Sequence, residues 1–150
     1  MVRYSITVHS PRPADDVFAY LSRFSSAAEW DPGVSSAVDV DGDPGRVGSR
    51  FDLHVQFLGR TLPLRYTVTE LEAPGTVTVE AANRFVRSRD RITVEPEGGG
   101  SVVRYDAMLE PLGVATAAGP LLSLAFVRIG RRAEASLRSV LGAEAPSTVP

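Results

Sequence analysis

The side chains best placed to do chemistry are few. In the run VRSRDRITV, Ser88 and Asp90 share parity with Val86, Ile92 and Val94. A strand over these residues turns both polar groups toward an apolar side. A carboxylate there needs a donor, a water or a raised pKa, because an unpaired buried charge is strongly disfavoured. Two readings stay open. Asp90 is a polar anchor or general acid/base in an apolar pocket, or a bulge turns it outward to a neighbouring arginine. Tyr66 and Tyr105 have the same inward parity. Each brings a large ring and one hydroxyl that needs a partner when buried, and each fits either cavity hydrogen bonding or core packing. Asp90, Tyr66 and Tyr105 are the candidate catalytic residues.

Other chemistries lack their residues. There is no cysteine, so disulfides and thiolate chemistry are excluded. All sixteen basic residues are arginine, which removes side-chain Schiff bases. His9 falls at a strand end and His54 on a wet face, so they share no metal site, and a metal site needs three or four converging ligands. No G-x-S-x-G element supports a nucleophilic serine. The glycines at 98–100 join two strands and cradle no phosphate. No cofactor and no metal are implied. A net charge of −2 argues against nucleic acid as partner.

These residues need strands to aim them, and the pattern supplies strands. Residues 2–9 read as the first. Pro13 then suits a helix start, with Asp15 and Asp16 at its positive end. Val17, Phe18, Leu21 and Phe24 follow at helical spacing. Ser25 is placed to cap a second short helix through Glu29, stopped by Pro32-Gly33. A short strand over 35–41 and a turn-rich loop over 42–48 come next. From residue 49 the period is two. Phe51, Leu53, Val55 and Phe57 face one way; Leu62, Leu64, Tyr66 and Val68 do so after a Gly59-Arg60 turn. Pro74-Gly75 turns the chain again. Val77, Val79 and Ala81 alternate with Thr76, Thr78 and Glu80, and turns follow near Asn83-Arg84 and at 97–100. Val103, Tyr105, Ala107 and Leu109 end the meander. A sheet with one apolar face needs a cover. A helix near 114–142 provides it through Leu122, Ala125, Phe126, Ile129, Ala133, Leu137, Val140 and Leu141.

On the wet face, Arg87, Arg89 and Arg91 predict a cross-strand charge ladder with Glu80, Asp52 and Asp106. Arg128, Arg131, Arg132 and Arg138 complement the negative end of the last helix; contact with acidic headgroups is the alternative. Glu70 has pocket parity but a strand-end position, which points to solvent. Trp30 is the only tryptophan, and beside the short helices it fits a staple that holds them to the sheet.

The ordered set ITVHSPRPADDVFAYLSRF, AEWDPGV, VGSRFDLHV and SVVRYDAMLEPLG running into the last helix resembles the START-like, helix-grip superfamily. The resemblance spans roughly residues 3–142 and is nearest the polyketide cyclase/dehydrase-like branch of the SRPBCC group. It implies a hydrophobic cavity between sheet and last helix, used for lipids, polyketides or other apolar molecules. It also places the segment carrying Trp30 near the cavity entrance, which gives a gate as the alternative to a staple. Aromatase/cyclase members place a cavity arginine where this chain has Glu70; Arg65 is nearby but on the wet face. The ubiquinone-binding branch shows a tyrosine-proline element where this chain has AEWDPG. Neither specific activity transfers.

The expected fold is therefore α+β, a curved antiparallel sheet of about seven strands around a long C-terminal helix. The expected unit is a single ligand-binding domain over 1–142, with a disordered tail over 143–150. The expected function is binding of a hydrophobic or amphipathic small molecule. The expected lining is Trp30, Phe51, Leu53, Val55, Phe57 and Leu64, then Tyr66, Val79, Ser88, Asp90 and Tyr105, with Leu122 and Phe126 from the helix. A cyclase or dehydratase using Asp90 or a tyrosine is the enzymatic alternative, and an interaction module with a filled cavity is the third. No apolar run reaches the roughly 18–20 residues of a membrane span, and the N-terminus lacks a signal-peptide pattern. A cytoplasmic location follows as an expectation; oligomeric state is left open.

Overall fold

The structure, a computed structural model, describes residues 1–40, 45–57, 59–73 and 75–142. Part of the expected 42–48 loop, Pro74 of the expected Pro-Gly turn and the expected 143–150 tail lie outside the described residues.

Strand β1 (Val2–Ser10) leads through Pro13 into helix α1 (Ala14–Ser22). Pro13 has the extended backbone of a helix cap, and its carbonyl accepts the Val17 N–H at 3.1 Å. A single 3₁₀ turn, Phe24–Ser26, then runs into α2 (Ala27–Trp30). Ser25 does not cap this helix; its hydroxyl donates to Asp39 Oδ1 at 2.7 Å, tying the helices to the next strand. Strands β2 (Val34–Asp39), β3 (Arg50–Phe57), β4 (Arg60–Glu72), β5 (Thr76–Ala82), β6 (Val86–Glu97) and β7 (Gly100–Pro111) follow. They form one antiparallel sheet in the order β1-β7-β6-β5-β4-β3-β2.

The turns have local causes. Phe57 pairs with Arg60, so Arg60 belongs to β4 rather than to the turn, and Gly59 takes the φ of +76°. Glu97 pairs with Gly100 across Gly98 and Gly99, both at positive φ, as a tight hairpin requires. Asn83 Oδ1 accepts the Phe85 and Val86 N–H groups at 2.7 and 2.9 Å, which turns β5 into β6.

A 3₁₀ segment (Gly113–Ala118) precedes the long helix α3 (Gly119–Val140). Its two halves differ. Ala133, Leu137 and Leu141 are buried, and α3 packs on β1 and α2. The Ser10 hydroxyl donates to the Leu141 carbonyl at 2.8 Å, and Arg138 donates to the Thr7 carbonyl at 3.1 Å and to Glu134 at 3.0 Å. Gly130 allows the close approach: a Cβ there would stand 2.4 Å from the Tyr4 ring. In the other half Leu124 is 64% exposed, as is Val114 at 80% before it. Of the four arginines, Arg138 alone is in the last turn; Arg128, Arg131 and Arg132 are exposed upstream of it. The stretch Gly113–Val140 is long and apolar enough, by length and composition, to cross a membrane, against the expectation of no such span. Counting uninterrupted apolar residues missed it because Gly, Ala, Ser and Thr interleave with the large ones.

On the sheet's outer face a charge ladder forms, with Asp52 in it as expected but beside Arg65, and with two other acids as partners of Arg87 and Arg91. Arg65 pairs with Asp52 at 2.7 Å, Arg91 with Glu70 at 3.7 Å and Arg87 with Glu110 at 3.9 Å. Glu70 and Glu110 thus stand where Glu80 and Asp106 were expected; Asp106 accepts the Ser5 hydroxyl at 2.6 Å. Glu70 faces outward because the β4–β5 register shifts between Val68 and Glu70. Thr78, expected on the wet face, is fully buried there between Glu70 and Arg91, its hydroxyl donating to Glu70 at 3.0 Å.

Candidate functional site

Between the concave face of the sheet and α3 lies a cavity of about 110 Å³. Strands β3, β4, β6 and β7 supply most of its wall because their parity runs unbroken there. Leu53, Val55, Phe57, Leu64, Tyr66, Ser88, Asp90 and Tyr105 line it, as do Trp30 from α2 and Phe126 from α3. Three residues expected to line it do not. Phe51 is buried in the core with its ring edge toward Phe24, at 6.5 Å between centroids. Val79 is buried in β5 away from the cavity, and Leu122 lies a turn too early on α3. The helix meets the cavity only through Phe126, Ile129, Gly130 and Ala133. The half-buried lining residues Val55, Phe57 and Leu62 of the β3–β4 hairpin stand with half-buried Phe126 and Ile129, marking the mouth.

The polar atoms of the cavity gather into one connected patch. Tyr66 Oη donates to Ser88 Oγ at 2.9 Å, Ser88 Oγ to Asp90 Oδ1 at 3.3 Å, and Tyr105 Oη to Asp90 Oδ2 at 2.5 Å. Asp90 therefore faces inward, the opposite of the bulge reading, and takes a donor on each oxygen. Burial pushes its carboxyl up to about 7; the Tyr105 and Ser88 hydrogen bonds oppose this, and the nearby Asp31 charge adds to it. Burial and the Asp90 charge likewise hold the Tyr66 and Tyr105 hydroxyls well above their ordinary range, so both stay protonated. At neutral pH Asp90 is poised to give or take a proton, and the tyrosines act as neutral donors.

Trp30 is 1% exposed, its indole N–H donating to Ser26 at 3.4 Å and its ring edge-on to Tyr105 at 5.3 Å. It holds the short helices on the sheet and is not an exposed gate.

Sequence reasoning missed Asp31, which follows it and also lines the cavity. Its Oδ1 accepts the Gly33 N–H at 2.8 Å, and burial raises its carboxyl to about 6 against that hydrogen bond. The usable signal was an acid directly after the buried tryptophan; it was masked because Asp-Pro-Gly reads as turn chemistry. Tyr4, Ile6, Phe24 and Ala27 were missed as well, as were Val34, Val86, Ala107 and Leu109.

The histidines stay apart. His9 meets Glu97 at 2.9 Å, and His54 meets Ser36 at 2.9 Å on the outer face. No group of three metal-ligating side chains occurs among the described residues.

The family described as polyketide cyclase / dehydrase and lipid transport matches residues 1–142. A comparison with curated protein sequences finds no match. Among solved structures, the chain is similar to a START superfamily protein from Mycobacterium smegmatis at TM-score 0.75 and 15% identity, covering 93% of this chain and 97% of that one. It is similar to the Zhui aromatase/cyclase from Streptomyces sp. R1128 at TM-score 0.72 and 14% identity, covering 93% of both. It is also similar to a STAR-related lipid transfer protein from Xanthomonas axonopodis at TM-score 0.68 and 19% identity, covering 93% of this chain and 85% of that one. At such identities the likeness is one of fold.

Proposed function

Because the chain belongs to the polyketide cyclase/dehydrase and lipid transport family, we propose that it binds an apolar or amphipathic small molecule non-covalently between sheet and α3. The observation that carries this reading is the cavity's division of labour: apolar walls on nearly all sides and one hydrogen-bonded patch, Tyr66–Ser88–Asp90–Tyr105. Each apolar side chain buried against a ligand contributes roughly 1.5–3 kcal/mol. A single hydrogen bond adds about 1 kcal/mol. Affinity then comes from the walls and orientation from the patch. A volume of about 110 Å³ is small beside the roughly 300–1,000 Å³ of typical ligand pockets. A compact molecule fits as the cavity stands; a longer one projects through the mouth beside the exposed half of α3.

Native mass spectrometry of freshly purified protein, followed by solvent extraction, tests the reading. A bound apolar molecule supports it and names a chemical class. A protein that comes empty and also ignores hydrophobic dyes overturns it in favour of an interaction module.

The second reading is a cyclase or dehydratase, favoured by one observation: a buried carboxyl held near neutral pKa with a tyrosine donating to it. Asp90 would take a proton from a carbon acid while the walls fold the substrate. Turnover of a poly-β-ketone mimic, lost in Asp90→Asn, supports it; a rate no higher than background leaves binding as the function.

A further inference from the structure

The cavity holds two carboxyl groups, Asp31 and Asp90, and among the described residues no arginine or histidine lines it; the chain has no lysine. The outer face is built otherwise, with an arginine beside Asp52, Glu70 and Glu110. Among the described residues Asp90 is met by the Ser88 and Tyr105 hydroxyls and Asp31 by the Gly33 N–H, with no cation on either. Asp90 is buried and Asp31 half-buried at the cavity wall. Acids so placed without a counter-charge are costly, Asp90 most of all, because desolvation is left uncompensated.

We infer that the cavity takes an apolar amine, a protonated nitrogen on an apolar body, in preference to the alcohol or the carboxylate of the same body. The inference rests on the binding reading above and adds the ligand's charge. A cation supplies the missing counter-charge where the local dielectric is low. A carboxylate ligand would add a third negative charge. Aromatic rings stand around the same patch: Trp30 against Tyr105 at 5.3 Å, and Phe24 against Tyr66 at 4.9 Å. Ring faces attract ammonium groups, most strongly when desolvated. The mouth between the β3–β4 hairpin and α3 leaves room for the apolar body.

The groups facing the two acids come from every surrounding element. Tyr66 comes from β4, Tyr105 from β7 and Ser88 from β6 itself; Tyr4 of β1 turns its hydroxyl to Glu134 at 3.2 Å, with Arg138 behind Glu134. α3 puts no charged side chain into the cavity. With both carboxyls held up by burial, to about 7 and about 6, a bound cation draws them down and protons leave on binding near neutral pH.

Calorimetric titration with octylamine, octanol and octanoate tests this, since the three share one apolar body. At about pH 8 the amine binds at least about tenfold more tightly than the alcohol, and octanoate binds more weakly than either. At about pH 5, where both acids are protonated, the amine's advantage disappears. Asp90→Asn and, separately, Asp31→Asn lower octylamine affinity by a larger factor than they lower octanol affinity, so the amine-to-alcohol ratio falls toward one. Two variants and the pH series on the unaltered protein protect the test from one misfolded mutant. If octanol binds and octylamine binds no better, or octanoate binds best, the charge inference is overturned and the cavity reading survives. If none of the three binds, both fall.

Discussion

The two faces of the sheet treat their acids in opposite ways. Outside, Asp52 lies against Arg65 in a two-bonded pair at 2.7 and 2.9 Å, open to water and salt. Inside, Asp90 has hydroxyl donors and a second acid near it, with no base. Exposed ion pairs contribute little, a median near 0–1 kcal/mol. A buried acid without a counter-charge is a standing cost. The outer pairs therefore dress a surface, while Asp90 is the group whose presence the fold alone does not reward. A costly polar group at the wall of an apolar cavity is where function is sought.

The largest expected effect tests that cost directly. Asp90 is held at about 7 in the folded chain against 3.8 for an ordinary aspartate. A raised acid contributes stability that is full below about pH 4 and is lost as the pH rises through the folded value. Each pH unit across that window removes about 1.4 kcal/mol per proton, so the whole is roughly a few kcal/mol. Urea melts of the unaltered protein between about pH 4 and 8 should show this decline. Asp90→Asn should flatten it; a parallel slope in the variant would mean that Asp90 is not the titrating group. Asp31, raised to about 6, titrates in the same direction and accounts for what slope remains.

Next in size is Tyr105→Phe. It leaves Asp90 Oδ2 without the donor now at 2.5 Å. Hydrogen bonds to charged groups are worth about 1.5–3 kcal/mol, and the loss should fall in that range above neutral pH. Well below about pH 7, where Asp90 is protonated in the folded chain, it needs the donor less, and the loss should shrink. A loss that is the same at both extremes would assign Tyr105 a packing role only.

A smaller effect of about 1 kcal/mol belongs to Thr78→Val on the other face. Thr78 is 0% exposed and donates to Glu70 from beneath the Glu70–Arg91 pair. The substitution keeps the shape and removes one hydrogen bond. A loss of several kcal/mol, seen in the same urea melts, would mean that the outer face also depends on a buried polar group and would erase the contrast between the faces.

How far the sequence reveals this contrast depends on where alternation stays in register. On β6 and β7 every pairing runs without a shift, and parity alone turns Ser88, Asp90 and Tyr105 inward. Between β4 and β5 the register shifts at Val68/Glu70, so parity mislabels Glu70, while Thr78 lies on the face parity gives it and only its burial there is unforeseen. The covering helix was visible as a stripe, but a stripe does not say which part of its length meets a cavity; Leu122 and Phe126 carry the same pattern and only Phe126 lines it. Asp31 sits in a connection, where no period operates and the local hydrogen bond to Gly33 explains the residue without a cavity. Periodic elements thus display one member of the acid pair, and tertiary placement alone supplies the other.

The smallest expected effect is the control that gives the comparison its meaning. Arg65 beside Asp52 holds that carboxyl below its ordinary range, the reverse of Asp90. A lowered acid contributes stability above its unfolded value and loses it as the pH falls. Any loss from Asp52→Asn is therefore present at neutral pH and vanishes at acid pH, and the pH slope it removes has the opposite sign to that of Asp90. Both side chains are open to solvent, where water and salt screen the pair. Asp52→Asn should therefore barely move the urea midpoint near neutral pH and leave octylamine affinity unchanged. Removing a formal charge lowers the net negative charge by one whether the acid is Asp52 or Asp90. If Asp52→Asn reproduced any part of the Asp90→Asn phenotype, the effect would be one of overall charge acting at long range. If it does not, what matters is the enclosure around Asp90.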